Sequence, residues 1–195
     1  MKRTGLFLLA AAVIAFALSG SALAQAAPGD GSYYFVTYFS NNVSGAPDAT
    51  VRLINDGDTG EYLYAAIFVF DDSQELTACG YCLVSPDGLL SEDVKTELTN
   101  NPLTGRVPPR GVIKIVSTEV AVGVNEYAEP GLRGWATHIQ RATPTSGAYA
   151  TTEAPLSDSN LTEGEAYMLD NLCYYAQELG SGQGLITCTQ EDHDF

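Results

Sequence analysis

The sequence predicts a mainly β chain folded as an antiparallel β-sandwich, and three observations lead there. Between residues 33 and 141 the apolar residues come in short runs rich in Val, Ile, Phe and Tyr. Clusters of Gly, Pro, Asn and Asp separate those runs at the close spacing that sandwiches use. No helical period emerges before the C-terminal part of the chain, so strands must supply the core.

The first 24 residues stand apart. Lys2 and Arg3 give a positive start, residues 5–18 are apolar, and Ala22-Leu23-Ala24 makes a small-x-small cleavage site. The apolar run is shorter than the ~20 residues of a spanning helix, so a removable secretory signal is expected. Leu18-Ser19-Gly20 is followed by Ser21 rather than a cysteine, which argues against a lipid anchor. Residues 25–32 read as a flexible leader.

The body, residues 33–142, divides into about seven strands. Residues 33–40 (YYFVTYFS) come first, and residues 50–55 alternate, with Val51 and Leu53 on one face and Arg52 on the other. Residues 56–60 (DGDTG) form a turn of hairpin type. Residues 62–70 (YLYAAIFVF) are hydrophobic on both faces, as in a central strand covered on both sides. Leu83-Val84 and Leu89-Leu90 flank a Pro-Asp-Gly turn. Ser91 can then cap a short helix that aligns Leu90, Val94 and Leu98 and stops at Asn100-Asn101-Pro102. Residues 112–116, 120–124 and 135–141 complete the series. The segment 33–40 is expected to pair within its own sandwich, not to be donated to a neighbour.

The C-terminal part reads differently. Residues 143–160, rich in Thr, Ser, Ala and Pro, suggest a linker or an extended surface segment. Residues 161–190 hold a helix plus a strand packed on the sandwich. Thr162 and Glu165 form a capping box, and Met168, Leu172, Tyr175 and Leu179 make the apolar stripe. Gly180 closes the helix, residues 185–189 give a final strand, and residues 191–195 are an acidic tail.

Composition excludes several classes of function. The 195 residues carry 9 Lys+Arg against 24 Asp+Glu, a formal net charge of −15, which suits neither a phosphate backbone nor anionic lipid. Hydrophobic residues at 45% and charged residues at 17% are wrong for a disordered acidic chain. No second apolar stretch approaches membrane length, so the exported product should be extracellular or periplasmic and free of the membrane.

Export makes disulfides the default for Cys79, Cys82, Cys173 and Cys188. At this length a single core buries roughly 70% of the unfolded surface, so bridges are optional. Proximity favours Cys79–Cys82 with Cys173–Cys188, the latter closing a loop worth about 3 kcal/mol. Cross-pairing is the alternative. A redox reading of Cys79-Gly80-Tyr81-Cys82 needs the first cysteine at a helix N-terminus, which Pro86 and Gly88 oppose. A four-cysteine zinc site lacks its second C-x-x-C.

Chemistry is sparse elsewhere. His138 lies on the strand face opposite Trp135, Thr137 and Ile139, and His193 sits in the acidic tail. There is no G-x-S-x-G elbow, H-E-x-x-H or P-loop. Residues 180–184 (GSGQG) follow a helix instead of opening one, so no phosphate site is expected. Asp56, Asp58 and Glu61 hint at calcium, but an EF-hand would need a Glu where Ile67 stands. No other cofactor is indicated. Trp135, His138 and Tyr127 are the candidate ligand-binding residues, with Tyr33 and Tyr34 as further surface aromatics.

Residues 33–141 resemble the immunoglobulin-like or fibronectin-like sandwich modules of bacterial secreted and surface proteins. The turn in Leu53-Ile54-Asn55-Asp56-Gly57 and the step from Ile115-Val116-Ser117 to Val120-Ala121-Val122 carry that likeness. The runs 46–53 (APDATVRL), 98–105 (LTNNPLTG), 111–117 (GVIKIVS), 135–140 (WATHIQ) and 179–184 (LGSGQG) resemble a family of uncharacterised secreted bacterial proteins. That resemblance implies export and no particular activity. The expected function is a non-catalytic structural, cell-surface or adhesion role, with cell-surface or matrix components as partners. An extracellular carbohydrate or small-molecule binder is the alternative, and a secreted hydrolase a more distant one.

Overall fold

The computed structural model describes residues 32–40, 43–100, 107–143, 147–179, 186 and 188. The expected signal, most of the leader, the 180–184 loop and the acidic tail lie outside them, as does the final strand except at Ile186 and Cys188. Among the described residues nine strands form two antiparallel sheets. They are β1 (Tyr34–Ser40), β2 (Thr50–Asn55), β3 (Leu63–Asp71), β4 (Leu76–Val84), β5 (Leu89–Asp93), β6 (Arg110–Thr118), β7 (Leu132–Arg141), β8 (Tyr149–Pro155) and β9 (Ser157–Asp158). One sheet has the order β4-β3-β6-β1-β9, the other β5-β2-β7-β8. Helix α1 (Glu163–Leu179) lies over the outer face of the five-stranded sheet.

The molecule therefore has three layers, and β3 shows why. Its odd positions Ala65, Ile67 and Val69 enter the core between the sheets, whereas Ala66, Phe68 and Phe70 meet the helix. Both faces are dry, as the two-sided hydrophobic run requires. Phe68 is completely buried, which is worth about 2–3 kcal/mol for such a side chain. On the other sheet Val51, Leu53 and Ala136 point inward, and β1 pairs with β6 over its whole length, Tyr34 with Val116 through Ser40 with Arg110.

The connection through residues 56–60 does not close a hairpin; it carries the chain from one sheet to the other. Gly57 and Gly60 sit at positive φ within it. The Pro-Asp-Gly turn does the same between β4 and β5, with Gly88 N–H on the Ser85 carbonyl at 2.8 Å. The short helix expected after Ser91 begins later, with Val94 and Leu98 buried as expected, because β5 extends to Asp93. A single wide turn over Val94–Leu98 follows, closed by Thr99 N–H on the Val94 carbonyl. Asp48, just before β2, caps that turn, accepting from Lys95 and Thr96 N–H at 2.8 and 3.2 Å. Residues 120–124 turn instead of forming a strand, because Gly123 takes φ +67° and Val122 is exposed. The stretch 143–160 is not a linker. It supplies β8, paired with β7 from Trp135–Pro155 to Arg141–Tyr149, and β9, paired with Phe35 and Val36.

The disulfides correct the expected pairing. Cys79 bonds Cys173 and Cys82 bonds Cys188, with Cα separations of 5.8 and 5.4 Å. The reason is strand geometry: three positions apart on β4, Cys79 and Cys82 point to opposite faces of the sheet. Cys79 joins the layer under the helix and Cys82 the core between the sheets. One bridge therefore ties β4 to α1, and the other ties it to the segment at Cys188. Next to them Ile186 N–H donates to the Cys79 carbonyl at 2.8 Å.

The helix face is also corrected. Ala166, Leu169 and Cys173 are buried, while Met168 and Tyr175 are exposed and Leu172 only partly covered. The Leu179 side chain lies outside the described residues. Small side chains win because the Cys79–Cys173 bridge draws the helix close to β4. Thr162 Oγ1 accepts from Glu165 N–H at 3.2 Å, half of the capping box. The Glu165 carboxylate turns to the sheet instead, accepting from Lys114 Nζ and Tyr34 Oη, both at 2.6 Å. Burial works to raise its pKa, but these hydrogen bonds and the Lys114 charge hold it below the ordinary glutamate value.

Candidate functional site

The helix does not cover the whole outer face of the five-stranded sheet. Beyond Ala66 the same face of β3 continues to Tyr64, opposite Leu83 on β4 and Thr118 on β6. Tyr62 leaves the inter-sheet turn just before it. Tyr62, Tyr64, Leu83 and Val120 floor an open groove of about 680 Å³ rimmed by Thr59, Glu61, Glu119 and Glu129. Tyr62 is 57% exposed and Leu83 42%.

Its far wall is a loop that the backbone holds in place. Glu119 N–H bonds the Tyr127 carbonyl at 3.0 Å and Glu129 N–H the Ser117 carbonyl at 2.9 Å. Asp170 of α1 accepts from Val124 N–H at 2.9 Å, so the helix braces the wall. Tyr81 Oη also reaches Asp170, and burial, then the Asp170 charge, pushes its pKa up.

Chemically the groove is one-sided. Among the described residues three glutamates line it, no lysine or arginine does, and none of the three is in an ion pair. Two tyrosine rings offer flat apolar faces and polar tips. Such a surface suits a ligand with an apolar face and cationic or hydroxyl donors.

The residues singled out from sequence are not brought together. Trp135 lies on the outer face of the four-stranded sheet, with Arg52 and Pro155 as cross-strand neighbours. Arg52 there is ion-paired with Glu153. His138 points to the opposite face and is buried, stacked on the Tyr38 ring of β1 with centroids 4.0 Å apart. Gln140 Nε2 donates to Tyr38 Oη at 2.8 Å, so the cluster bridges the two sheets. Burial lowers the His138 pKa, and among the described residues its Nδ1 has no partner. Tyr127 belongs to the loop forming the groove wall, its ring 3.2 Å from where a Cβ on Gly123 would lie.

The calcium candidates scatter as well. Asp56 is paired with Arg133 at 3.1 Å and caps its own turn through Asp58 N–H at 3.2 Å. Among the described residues no three His, Cys, Asp or Glu side chains gather closely enough to hold a metal ion. Only Glu61 of this set reaches the groove.

Sequence reasoning missed Tyr62 and Tyr64 as site residues because they read as one face of a central strand. The signal was in the residue types. The face carries tyrosines at its start and phenylalanines at its end, and polar-tipped rings mark where the cover stops.

No protein-family model matches the chain, and no match was found among curated proteins. A crystal structure from Thermotoga maritima, of its protein 1070, superposes with a TM-score of 0.44 at 12% identity. The match covers 68% of this chain and 97% of that one. The likeness is too distant to carry anything from that protein to this one.

Proposed function

We propose that the chain is an exported, non-catalytic recognition module of the cell-surface or adhesion type, and that the Tyr62–Tyr64 groove takes a carbohydrate bearing amino groups. The observation that carries this reading is the groove itself: tyrosine faces for the C–H surface of a sugar, bordered by three carboxylates with no competing cation. Export is supported by the signal-like N-terminus and by two disulfides, which persist in oxidising compartments. Among the described residues no helix is long and apolar enough to cross a membrane.

A binding role fits the site better than hydrolysis. A glycosidase's general acid is kept protonated by a dry pocket, whereas Glu61 and Glu119 are exposed. His138 is held under Tyr38, away from the groove.

Calorimetric titration with glucosamine oligomers and their N-acetylated counterparts tests the proposal. The amine form should bind more tightly, and Tyr62→Ala should weaken it by about tenfold, as loss of an aromatic anchor does. The triple change Glu61→Gln, Glu119→Gln, Glu129→Gln should erase the preference for the amine. Absence of binding to either oligomer, or binding indifferent to Tyr62→Ala, would overturn the proposal.

A further inference from the structure

The four-stranded sheet ends, among the described residues, in an edge that the fold leaves open. β8 pairs with β7 on one side only. Leu156 N–H bonds the Gly134 carbonyl at 2.8 Å, and Ala142 N–H bonds the Ala148 carbonyl at 3.0 Å. Even-numbered residues of this strand therefore turn their backbone groups to β7. The N–H and C=O groups of Tyr149, Thr151 and Glu153 point outward, and among the described residues none has a partner.

The other edges are guarded. β5 ends in Glu92-Asp93 and runs into the wide turn, and β9 has two residues, one of them Asp158. At β4, Ile186 already occupies the Cys79 carbonyl. Natural edges are blunted by shortness, charge or cover. β8 is seven residues long and exposed, and its one charged side chain, Glu153, is neutralised by Arg52. On a chain of net charge −15, it is the edge where a second copy meets least repulsion.

We infer that β8 is a homodimerisation edge: two copies pair β8 with β8, antiparallel about Thr151, to give one continuous sheet. The register is self-complementary. Thr151 faces Thr151 of the second copy and Tyr149 faces Glu153, so each outward N–H meets an outward carbonyl. Pro155, which has no N–H, falls opposite Gly147 beyond these pairs. The contact is isologous and closes on itself, giving a dimer rather than a fibre. It places the two Trp135-bearing faces on one surface.

Sedimentation equilibrium of the exported chain, with crosslinking, tests this. Mass should rise from monomer to dimer with concentration, and Thr151→Pro should abolish the rise, since it removes only an outward N–H. Far-ultraviolet circular dichroism shows whether that variant keeps its fold. Independently, Thr151→Cys should form a covalent dimer on oxidation. Facing residues of a hydrogen-bonded antiparallel pair have Cα atoms about 5.5 Å apart, within disulfide reach. Tyr149→Cys, whose counterpart lies several residues along the strand, should not crosslink. A monomer at all concentrations up to about 1 mM, the weak end for small interfaces, would overturn the inference. So would a dimer that persists in folded Thr151→Pro, or a dimer that Thr151→Cys fails to trap.

Discussion

Replacing Cys79 and Cys173 together by alanine tests the connectivity more sharply than any single bridge would, because the two bridges share a circuit. They span 94 and 106 residues and overlap almost completely. With Cys82–Cys188 intact, Cys79 is already tethered to Cys173 by the short way round: to Cys82, across the bridge, and back from Cys188. That path is about 18 residues, so losing the first bridge should cost about 3 kcal/mol. The same holds for removing Cys82–Cys188 alone. Once one is gone, the survivor closes a loop of about 100 residues and is worth about 4.7 kcal/mol. Loss of both should thus cost about 8 kcal/mol, more than twice either alone. Urea denaturation of the two double variants and the quadruple variant measures these values. Local pairs, Cys79–Cys82 with Cys173–Cys188, would both be broken by either double variant, so a double variant would then cost as much as the quadruple one, which would refute the observed connectivity. Strict additivity, or a Cys79–Cys82 peptide in a non-reduced digest, would refute the reasoning.

Two pH effects follow from the titrating groups. Glu165 sits below its ordinary value of 4.5, so its contribution is complete above that pH and fades as pH falls through the depressed folded value. Glu165→Gln should flatten this acid limb of the thermal midpoint and, by leaving Lys114 without its partner, cost about 1–3 kcal/mol at neutral pH. His138 is held neutral by burial, with its folded pKa below 6.5. Its share of stability is therefore present above pH 6.5 and lost as pH falls from there toward the folded pKa. In His138→Gln the midpoint should stop falling across that window; an unchanged slope would place the titration elsewhere.

How much of this was legible in the sequence depends on what each residue reports. The two-sided run of β3 announced a strand covered on both faces, and the helix with its Thr162 cap could be placed before any coordinates. The cysteine pairing was misread for a local reason. Leu76–Val84 carries Thr, Gly and two cysteines among its residues, so its length as a strand was hidden. Read as a strand, its period of two would have excluded Cys79–Cys82 at once. β8 was hidden for a different reason: an edge strand with nearly every side chain in solvent needs no apolar residue, so Thr and Ala there look like linker. On α1 two stripes competed. Hydrophobicity chose Met168 and Tyr175, but a helix bridged to β4 is limited by how near its backbone can come, which favours Ala166 and Cys173. The same preference explains the groove. A helix held close by small side chains and one disulfide covers Ala66, Phe68 and Phe70. Past them the face is left to Tyr64 and Tyr62, whose hydroxyls tolerate water, so the packing that fixes the third layer also sets where the open site begins.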